Sequence, residues 1–279
     1  MKALFDQVSG SCSKKVTTAY STSFSAAVKM LDKSIRQDIY NIYGFVRLAD
    51  EIVDTFHDYD KKTLFERFET DLENALTDKI SLNPILNAFQ YTVHKYDIPR
   101  ELIDAFMYSM RLDLHKTVYS TPEELAQYVY GSADVVGLMC LKVFVKGNQA
   151  QYDALKVPAM KLGSAFQKVN FLRDLKADFE QLSRTYFPNA DLANLDENSK
   201  RAIVKEIEAE FREAFDGILL LPDAAKFGVY TAFVYYQKLL KKLKSTPSEK
   251  IKSARIRVND YQKLQLFARC YVSYRLNLL

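Results

Sequence analysis

The sequence of 279 residues contains few of the residues that form tight turns. It has 8 glycines and 7 prolines, roughly 3% each, where about 7% and 5% are usual. Proteins built on β-sheets join their strands through turns that depend largely on these two residues. Their scarcity disfavours a sheet protein and predicts long helices with few sharp corners.

Cysteine is also scarce. The three cysteines, Cys12, Cys140 and Cys270, are odd in number and far apart, and no CxxC pair occurs. This spacing disfavours a disulfide framework and a cysteine-rich zinc site, and it fits a reducing compartment. The segment that begins with Met1 lacks the apolar stretch of a signal peptide. We therefore expect a cytoplasmic protein.

The charge is balanced and without long runs of one sign. There are 39 basic and 35 acidic residues, which gives a net charge of +4, and no block of five like charges appears. This pattern does not predict binding to nucleic acid. No uncharged apolar run is long enough to cross a membrane, so a transmembrane helix is not expected either.

Apolar residues recur with helical periodicity along the whole chain. Ser120, Thr121 and Pro122 combine a capping hydroxyl with a proline at the first helical position, a typical helix start. Gly131 and Gly137 predict a kink after that start, and Pro158 is a candidate break in the longest helix. Helices are predicted over 34–57, 60–77, 150–183, 199–217, 223–243 and 253–275. Three more are predicted to begin at 84, at 99 and at 122, and the one that begins at 99 extends towards 118. Residues 184–199 are predicted to form a loop. We expect an all-α protein with one domain over 1–279.

The predicted helix 34–57 carries an acidic stripe. Asp50 and Asp54 lie four residues apart on one face, beside Glu51, and this face also carries apolar and aromatic residues. Carboxylates that are half buried need cations or hydrogen-bond donors, and Arg47 is placed to supply one. A solvated acidic edge would have the same pattern, so this stripe alone leaves both interpretations open.

A second polar stripe follows the predicted helix 150–183. Its members recur at spacings of three and four residues and have apolar residues on both sides. They are Gln167, Asn170, Asp174, Asp178 and Gln181. Such a stripe suits a helix that lines a cavity inside a bundle, and Mg²⁺ binds one or two carboxylates together with substrate phosphates. Two facing stripes of this kind could hold several Mg²⁺ ions against a diphosphate, whereas a structural salt-bridge network is the alternative.

Five segments together resemble the squalene/phytoene synthase family, most closely its bacterial phytoene synthase and dehydrosqualene synthase branch. The segment 47–54, RLADEIVD, is similar to the first aspartate-rich motif of the family, D-[DE]-x-x-D. The run 162–188 resembles the second aspartate-rich signature almost throughout. The segments 20–24, 128–137 and 255–263 are similar to further family motifs. The resemblance covers roughly residues 17 to 270.

The resemblance implies an isoprenoid-synthase helical bundle with a central cavity that condenses two prenyl diphosphates head to head, through a cyclopropyl diphosphate intermediate. It implies Mg²⁺, with Mn²⁺ as an alternative ion. The implied metal ligands are Asp50, Asp54, Asn170, Asp174 and Asp178, with Glu51 as an outer ligand. The implied substrate contacts are Ser21, Ser23, Arg47, Gln167, Asn170, Arg173, Arg255 and Lys263. The implied catalytic residues are Asp50, Asp54, Asp174 and Asp178, together with Tyr128 near the reacting carbons.

Phytoene synthesis from two geranylgeranyl diphosphates is the first expectation. Squalene or dehydrosqualene synthesis from two farnesyl diphosphates is the alternative, and NADPH is required only if squalene is the product. A member without catalytic activity, acting as an assembly or binding factor, is the alternative of another class. The oily product is compatible with peripheral membrane contact, although no segment demonstrates it, and the sequence does not indicate an oligomeric state. One departure from the family is Asp134, which replaces a small residue and puts the local shape of the pocket in doubt.

Overall fold

The computed structural model of the protein describes residues 1–188, 190 and 194–275. In these ranges the chain is built from helices, and its one β-type pairing is an isolated parallel bridge between Val118 and Thr185. The expected all-α fold is therefore confirmed. The α-helices, numbered in chain order, are α1 (Lys2–Tyr20), α2 (Thr22–Lys29), α3 (Lys33–Asp54), α4 (Lys61–Asp78), α5 (Pro84–Tyr96), α6 (Arg100–Leu112), α7 (Pro122–Val129), α8 (Val135–Phe144), α9 (Gln149–Leu182), α10 (Glu197–Leu219), α11 (Asp223–Ser245), α12 (Ser248–Ser253) and α13 (Asp260–Arg275).

Several helix starts follow the local signals of the sequence. Asn83 caps α5 by accepting the backbone N–H of Ile85 at 3.0 Å, with Pro84 at the first position. Thr121 caps α7 in the same way through the N–H of Glu124, at 3.2 Å. These caps satisfy donors that have no partner inside the helix, so they fix where the helix begins.

The kink predicted at Gly131 and Gly137 is a π-helical turn, Tyr130–Asp134, which joins α7 to α8. Gly131 lies so close to α6 that an added Cβ would come within 2.0 Å of the Ser109 hydroxyl. The glycine is required by this close approach rather than by its backbone angles. The turn widens the helix at the point where it faces α9.

Four predicted boundaries differ from the structure because tertiary contacts override local pattern. α3 ends at Asp54 and α6 at Leu112, since the chain after α6 turns to bridge Thr185. The predicted helix 253–275 begins later than expected, as α13 at Asp260, because the residues after α12 leave the helical path and bury Ile256 and Val258. α9 continues through Pro158 without a break, and the proline ring packs against Gly217.

The core has two parts that meet around a cavity. One is centred on α3, α5 and α6, where Phe45 and Phe89 stack at 3.9 Å. The other is centred on α9, α10 and α11 and includes Phe211 and Phe233. α3 and α9 both border the cavity, so the two polar stripes lie on helices that share it.

Candidate active site

An apolar cavity of about 270 Å³ lies between the helices. Helices α2, α3, α8, α9, α10 and α11 contribute to its lining, which includes Phe24, Val28, Ile42, Val46, Leu141, Leu162, Phe166 and Ile218. Ser132 and Ala133 of the π-helical turn complete one wall, and Gln167 and Asn170 supply polar groups. Its volume is just below the usual range for small-molecule sites, roughly 300–1,000 Å³.

The predicted carboxylates lie at one end of this cavity. On α3 the lining residue Val46 is followed one turn later by Asp50 and then by Asp54. On α9 the lining residue Asn170 is followed at the same spacing by Asp174 and then by Asp178. Because residues four apart share a helical face, both sets continue the faces that line the cavity. We call these four carboxylates, with the arginines that contact them, the mouth.

On α3, Arg47 holds two of the acidic side chains. Its Nη1 donates to Asp50 Oδ2 at 2.6 Å, and its Nη2 donates to Glu51 Oε1. The other carboxylate oxygen of Glu51 accepts the Thr55 hydroxyl at 2.8 Å. The guanidinium also lies over the Tyr20 ring, 4.5 Å from its centre. Both oxygens of Glu51 are therefore occupied, one by Arg47 and the other by Thr55.

On α9, Asp174 is held by two arginines. Arg173 donates through Nε at 2.9 Å, and Arg255, from the segment between α12 and α13, approaches through Nε at 2.7 Å. Asn170 accepts the Tyr236 hydroxyl at 3.2 Å through Oδ1. The expected substrate contacts Arg47, Arg173 and Arg255 thus all lie beside the expected metal ligands.

Arg184 and Asp113 join the two sides of the mouth. Arg184 Nη2 lies 2.8 Å from Asp54 Oδ1 and 3.6 Å from Asp113 Oδ1, and it donates to the Asp113 carbonyl at 3.0 Å. Asp113 and Arg184 are both buried. Arg184 follows α9, and Asp54 is the last residue of α3. The ion pair between Arg184 and Asp54 therefore connects the ends of the two stripes.

Burial, together with the crowding of like charges, raises the pKa of two mouth carboxyls. Burial, followed by the nearby charge of Asp54, raises the pKa of Asp50 to about 7. Burial, followed by the charges of Asp174 and Asp54, raises the pKa of Asp178 to about 7. The charge of Asp54 thus contributes at carboxyls of both helices, as expected for two stripes that face each other.

The mouth has the donor chemistry of a magnesium site, although its side chains are paired with arginines. Among residues 1–188, 190 and 194–275, no three His, Cys, Asp or Glu side chains are already gathered around one point as metal ligands. The available groups are carboxylate and amide oxygens, which Mg²⁺ prefers. Burial, and after it the charge of neighbouring carboxylates, raises the pKa of Asp50 and of Asp178, and a bound divalent cation would favour the ionised form of both. The residues present therefore fit the ion.

Tyr128 lies behind the mouth, in a buried group of aromatic rings. Its hydroxyl donates to Asp113 Oδ2 at 2.9 Å, and its ring packs against Tyr119 and Tyr186 at centroid distances of 4.6 and 5.7 Å. Tyr128 thus contacts the residue that holds Arg184. It is connected to the mouth through Asp113.

The remaining predicted substrate contacts differ in their exposure and in their present partners. Ser21 caps α2 by accepting the N–H of Phe24 at 3.3 Å, and Ser23 is partly exposed on the same helix. Gln167 lines the cavity. Lys263 is paired at 3.0 Å with Asp260 of its own helix, and its expected phosphate contact stays a prediction.

Arg184 and Asp113 belong to the site although the sequence gives neither of them a role. Arg184 lies in the segment 162–188 that resembles a family motif, and Asp113 lies in a predicted helix with no pattern to mark it. Asp134 lies in the π-helical turn beside the cavity-lining Ala133, and its carboxyl is buried away from the mouth. Burial, followed by the charge of Glu210, raises the pKa of Asp134 to about 7.

Comparison with known proteins places this architecture among characterised enzymes. The structure is similar to a crystal structure of a dehydrosqualene synthase in complex with ligand, with a TM-score of 0.83, 21% identity, and coverage of 97% of this chain and 98% of that one. It is also similar to a squalene synthase from Alicyclobacillus acidocaldarius, with a TM-score of 0.74, 22% identity, and coverage of 85% and 93%. At these identities the likeness shows the shared fold.

Sequence relatives cover most of the chain. The chloroplastic phytoene synthase 1 of Zea mays is 27% identical over 263 residues, which are 88% of this chain and 62% of that protein. The 15-cis-phytoene synthase of Enterobacter agglomerans is 28% identical over 242 residues, which are 78% of this chain and 80% of that protein. The chain thus spans somewhat less than two thirds of the length of the plant relative. The family model described as squalene/phytoene synthase matches residues 17–262, and the chain belongs to the squalene/phytoene synthase family.

Proposed function

We propose that the protein condenses two prenyl diphosphates head to head, as a phytoene synthase that acts on two molecules of geranylgeranyl diphosphate in carotenoid biosynthesis. The observation that carries this proposal is the apolar cavity whose two bordering helices, α3 and α9, both end in carboxylates at one mouth. Family membership supports the reaction class. The names of the relatives in Zea mays and Enterobacter agglomerans support the choice of phytoene.

In this proposal the mouth binds the diphosphate groups. Asp50, Asp54, Asp174 and Asp178, with Asn170, would hold Mg²⁺, and Glu51 would orient Arg47 beside them. Bound Mg²⁺ would neutralise the charge that builds up on a departing diphosphate. Arg47, Arg173 and Arg255 now pair with carboxylates, and their planar groups can donate two parallel hydrogen bonds to phosphate oxygens when substrate arrives.

The cavity would hold the prenyl chains and protect the carbocation. Water that reached the cation would trap it, so an apolar lining is a chemical requirement. Phe24, Tyr43 and Phe166 line the cavity, and an aromatic face can stabilise a nearby cation by about 0.5–2 kcal/mol. Gln167 and Asn170 lie at the polar end, where the reacting carbons would meet the diphosphate.

Product analysis tests this proposal directly. Purified protein is incubated with geranylgeranyl diphosphate or farnesyl diphosphate, each with Mg²⁺, and the extracted hydrocarbons are identified by mass spectrometry. We expect phytoene from geranylgeranyl diphosphate and loss of product when EDTA removes the metal.

Two other results would change the proposal in different ways. Product from farnesyl diphosphate alone would replace phytoene with dehydrosqualene, or with squalene if NADPH is needed. A folded protein that releases no diphosphate from either substrate would refute catalysis and favour the binding-factor alternative.

A further inference from the structure

The outer face of α13 carries apolar side chains that the fold does not use. Tyr261, Leu264 and Val272 are 69%, 67% and 53% exposed, and Ala268 between them is also exposed. Their spacings of three, four and four residues place all four on one side of the helix. The opposite side of α13 packs against α11. On that side Cys270 is buried, and the ring of Tyr274 stacks on Phe227 of α11, with the ring centroids 4.7 Å apart.

Basic side chains flank this apolar face. Arg269 lies on α13, and the groove between α13 and its neighbours is also lined by Arg212, Lys238 and Lys241. Within the part of the chain that the structure describes, none of these four has an ion-pair partner. Lys244 in the same groove is paired with Glu208 at 2.7 Å. The groove therefore keeps an excess of positive charge beside exposed apolar groups.

We propose that the outer face of α13 and this basic groove dock the protein on the surface of an anionic lipid bilayer. An apolar helical face with flanking lysine and arginine is the pattern of helices that lie in the membrane interface. The apolar side chains enter the boundary between headgroups and acyl chains, while the basic groups contact lipid phosphates. In the described residues no helix is long and apolar enough to span a bilayer, and the docking proposed here needs only surface contact.

The segment before α13 contacts the mouth, so membrane docking through α13 would bring the cavity close to the bilayer. Arg255, five residues before α13 begins, approaches Asp174 at 2.7 Å. The chain thus contacts the mouth through Arg255 shortly before it enters α13. If the proposed function is correct, prenyl chains could pass between bilayer and cavity with little exposure to water. The docking itself does not depend on that function.

Vesicle binding without substrate tests the proposal separately from catalysis. The protein is mixed with vesicles of pure phosphatidylcholine or of an equimolar mixture with phosphatidylglycerol, and bound protein is measured by flotation. We expect binding only to the anionic vesicles, and weaker binding as salt rises. The double variant Lys238→Gln/Lys241→Gln should bind up to about 25-fold more weakly, because each basic side chain near an anionic surface contributes roughly fivefold.

A second variant tests the apolar face, and matched variants control for general surface effects. Leu264→Gln/Val272→Gln should lose binding while its circular dichroism spectrum stays unchanged. Leu82→Gln/Leu220→Gln removes two exposed apolar groups elsewhere, and Lys33→Gln/Lys62→Gln removes the same charge elsewhere. Both controls should bind like the unchanged protein.

Two outcomes would overturn the proposal. One is equal binding by all variants, which would place the contact on another surface. The other is absence of vesicle binding combined with a dimer, seen by analytical ultracentrifugation, that Leu264→Gln/Val272→Gln dissociates. That result would assign the face to a second copy of the chain.

Discussion

Two clusters of carboxylates and cations include residues of α9, and they are built differently. At the mouth, arginines from several segments hold Asp50, Asp54 and Asp174, and the carboxylates continue the faces that line the cavity. Between α9 and α10, Lys168 alone binds Glu210 at 2.6 Å and Glu206 at 2.5 Å. Ser164 also donates to Glu210, at 2.8 Å. We call the second group, with Asp134, the inner cluster.

The difference between the clusters separates a binding site from a structural one. The inner cluster is closed, because Lys168 and Glu210 are buried between packed helices and Lys168 donates to Glu210 Oε1. The mouth carboxylates continue the helical faces that line the cavity, and the arginines that hold them come from several segments. A cluster that stabilises the fold uses its charges internally, whereas the mouth retains negative charge for a cation to bind.

Breaking the inner cluster should produce the largest effect, and it should be on stability. In Lys168→Met, Glu210 stays buried without its cation, which typically costs about 3–5 kcal/mol. Urea denaturation followed by circular dichroism measures this loss. Lys161→Met on the same helix is the control, since Lys161 lies 3.7 Å from the exposed Glu213, and such surface pairs contribute about 1 kcal/mol or less. Equal losses in both variants would show that the inner cluster does not hold the fold.

Removing the charge of one mouth carboxylate should instead reduce turnover. Asp174→Asn keeps the shape of the side chain but removes one charge from the proposed metal site, and we expect a loss of about 10²–10³-fold in kcat, the usual range for one electrostatic group. Release of diphosphate measures turnover, and circular dichroism checks the fold. Glu180→Gln on the same helix, more than half exposed, should retain nearly full activity. Near-normal turnover in Asp174→Asn would remove Asp174 from the proposed site.

The pH dependence of stability sharpens the assignment of Asp134. Its folded pKa of about 7 lies above the ordinary 3.8, so folding takes up a proton between these values. The stability of the unchanged protein should therefore fall as pH rises from about 4 to about 7. Asp134→Asn should be more stable than the unchanged protein at pH 8, by up to about 4 kcal/mol, and the gain should vanish near pH 4.

The control for Asp134 is Asp216→Asn, on the exposed face of α10, for which no such pH-dependent gain is expected. The measurement is urea denaturation at several pH values. A gain for Asp134→Asn that is the same at pH 4 and pH 8 would exclude its ionisation as the cause.

The smallest effect concerns the hydrogen bond behind the mouth. Tyr128→Phe leaves the Asp113 carboxylate without a donor, and such a loss costs about 1–3 kcal/mol. Tyr119→Phe is the matched control, because Tyr119 is equally buried and its hydroxyl has no hydrogen-bond partner among the described residues. Thermal unfolding compares the two. A fall in turnover for Tyr128→Phe at temperatures where it is fully folded would support the expected position near the reacting carbons.

Much of the fold could be predicted from local pattern. Caps such as Asn83 with Pro84, and Thr121 with Pro122, fix helix starts through contacts within a few residues. Helix ends were less predictable. α6 stops at Leu112 because the next residues pair with Thr185, a segment far away in sequence.

The sequence also predicted part of the candidate site, namely the carboxylates of the two helical stripes. Asp50, Asp54, Asp174 and Asp178 recur at helical spacing, so each stripe was visible in the sequence. Asp113 was not, because its role depends on contacts with Tyr128 and Arg184 that only the folded chain makes. The buried surroundings of Asp134 were equally hidden, since Glu210 and Lys168 belong to helices distant in sequence.

The sequence by itself determined that the chain forms long helices and which faces of two of them carry carboxylates, because helical periodicity and capping act over a few residues. Only the tertiary structure decided that these faces meet at the end of one apolar cavity, that arginines from three segments hold them there, and that a basic groove flanks an exposed apolar face on α13. Those arrangements depend on packing between distant segments, where burial and charge pairing select one fold from the many that local pattern allows.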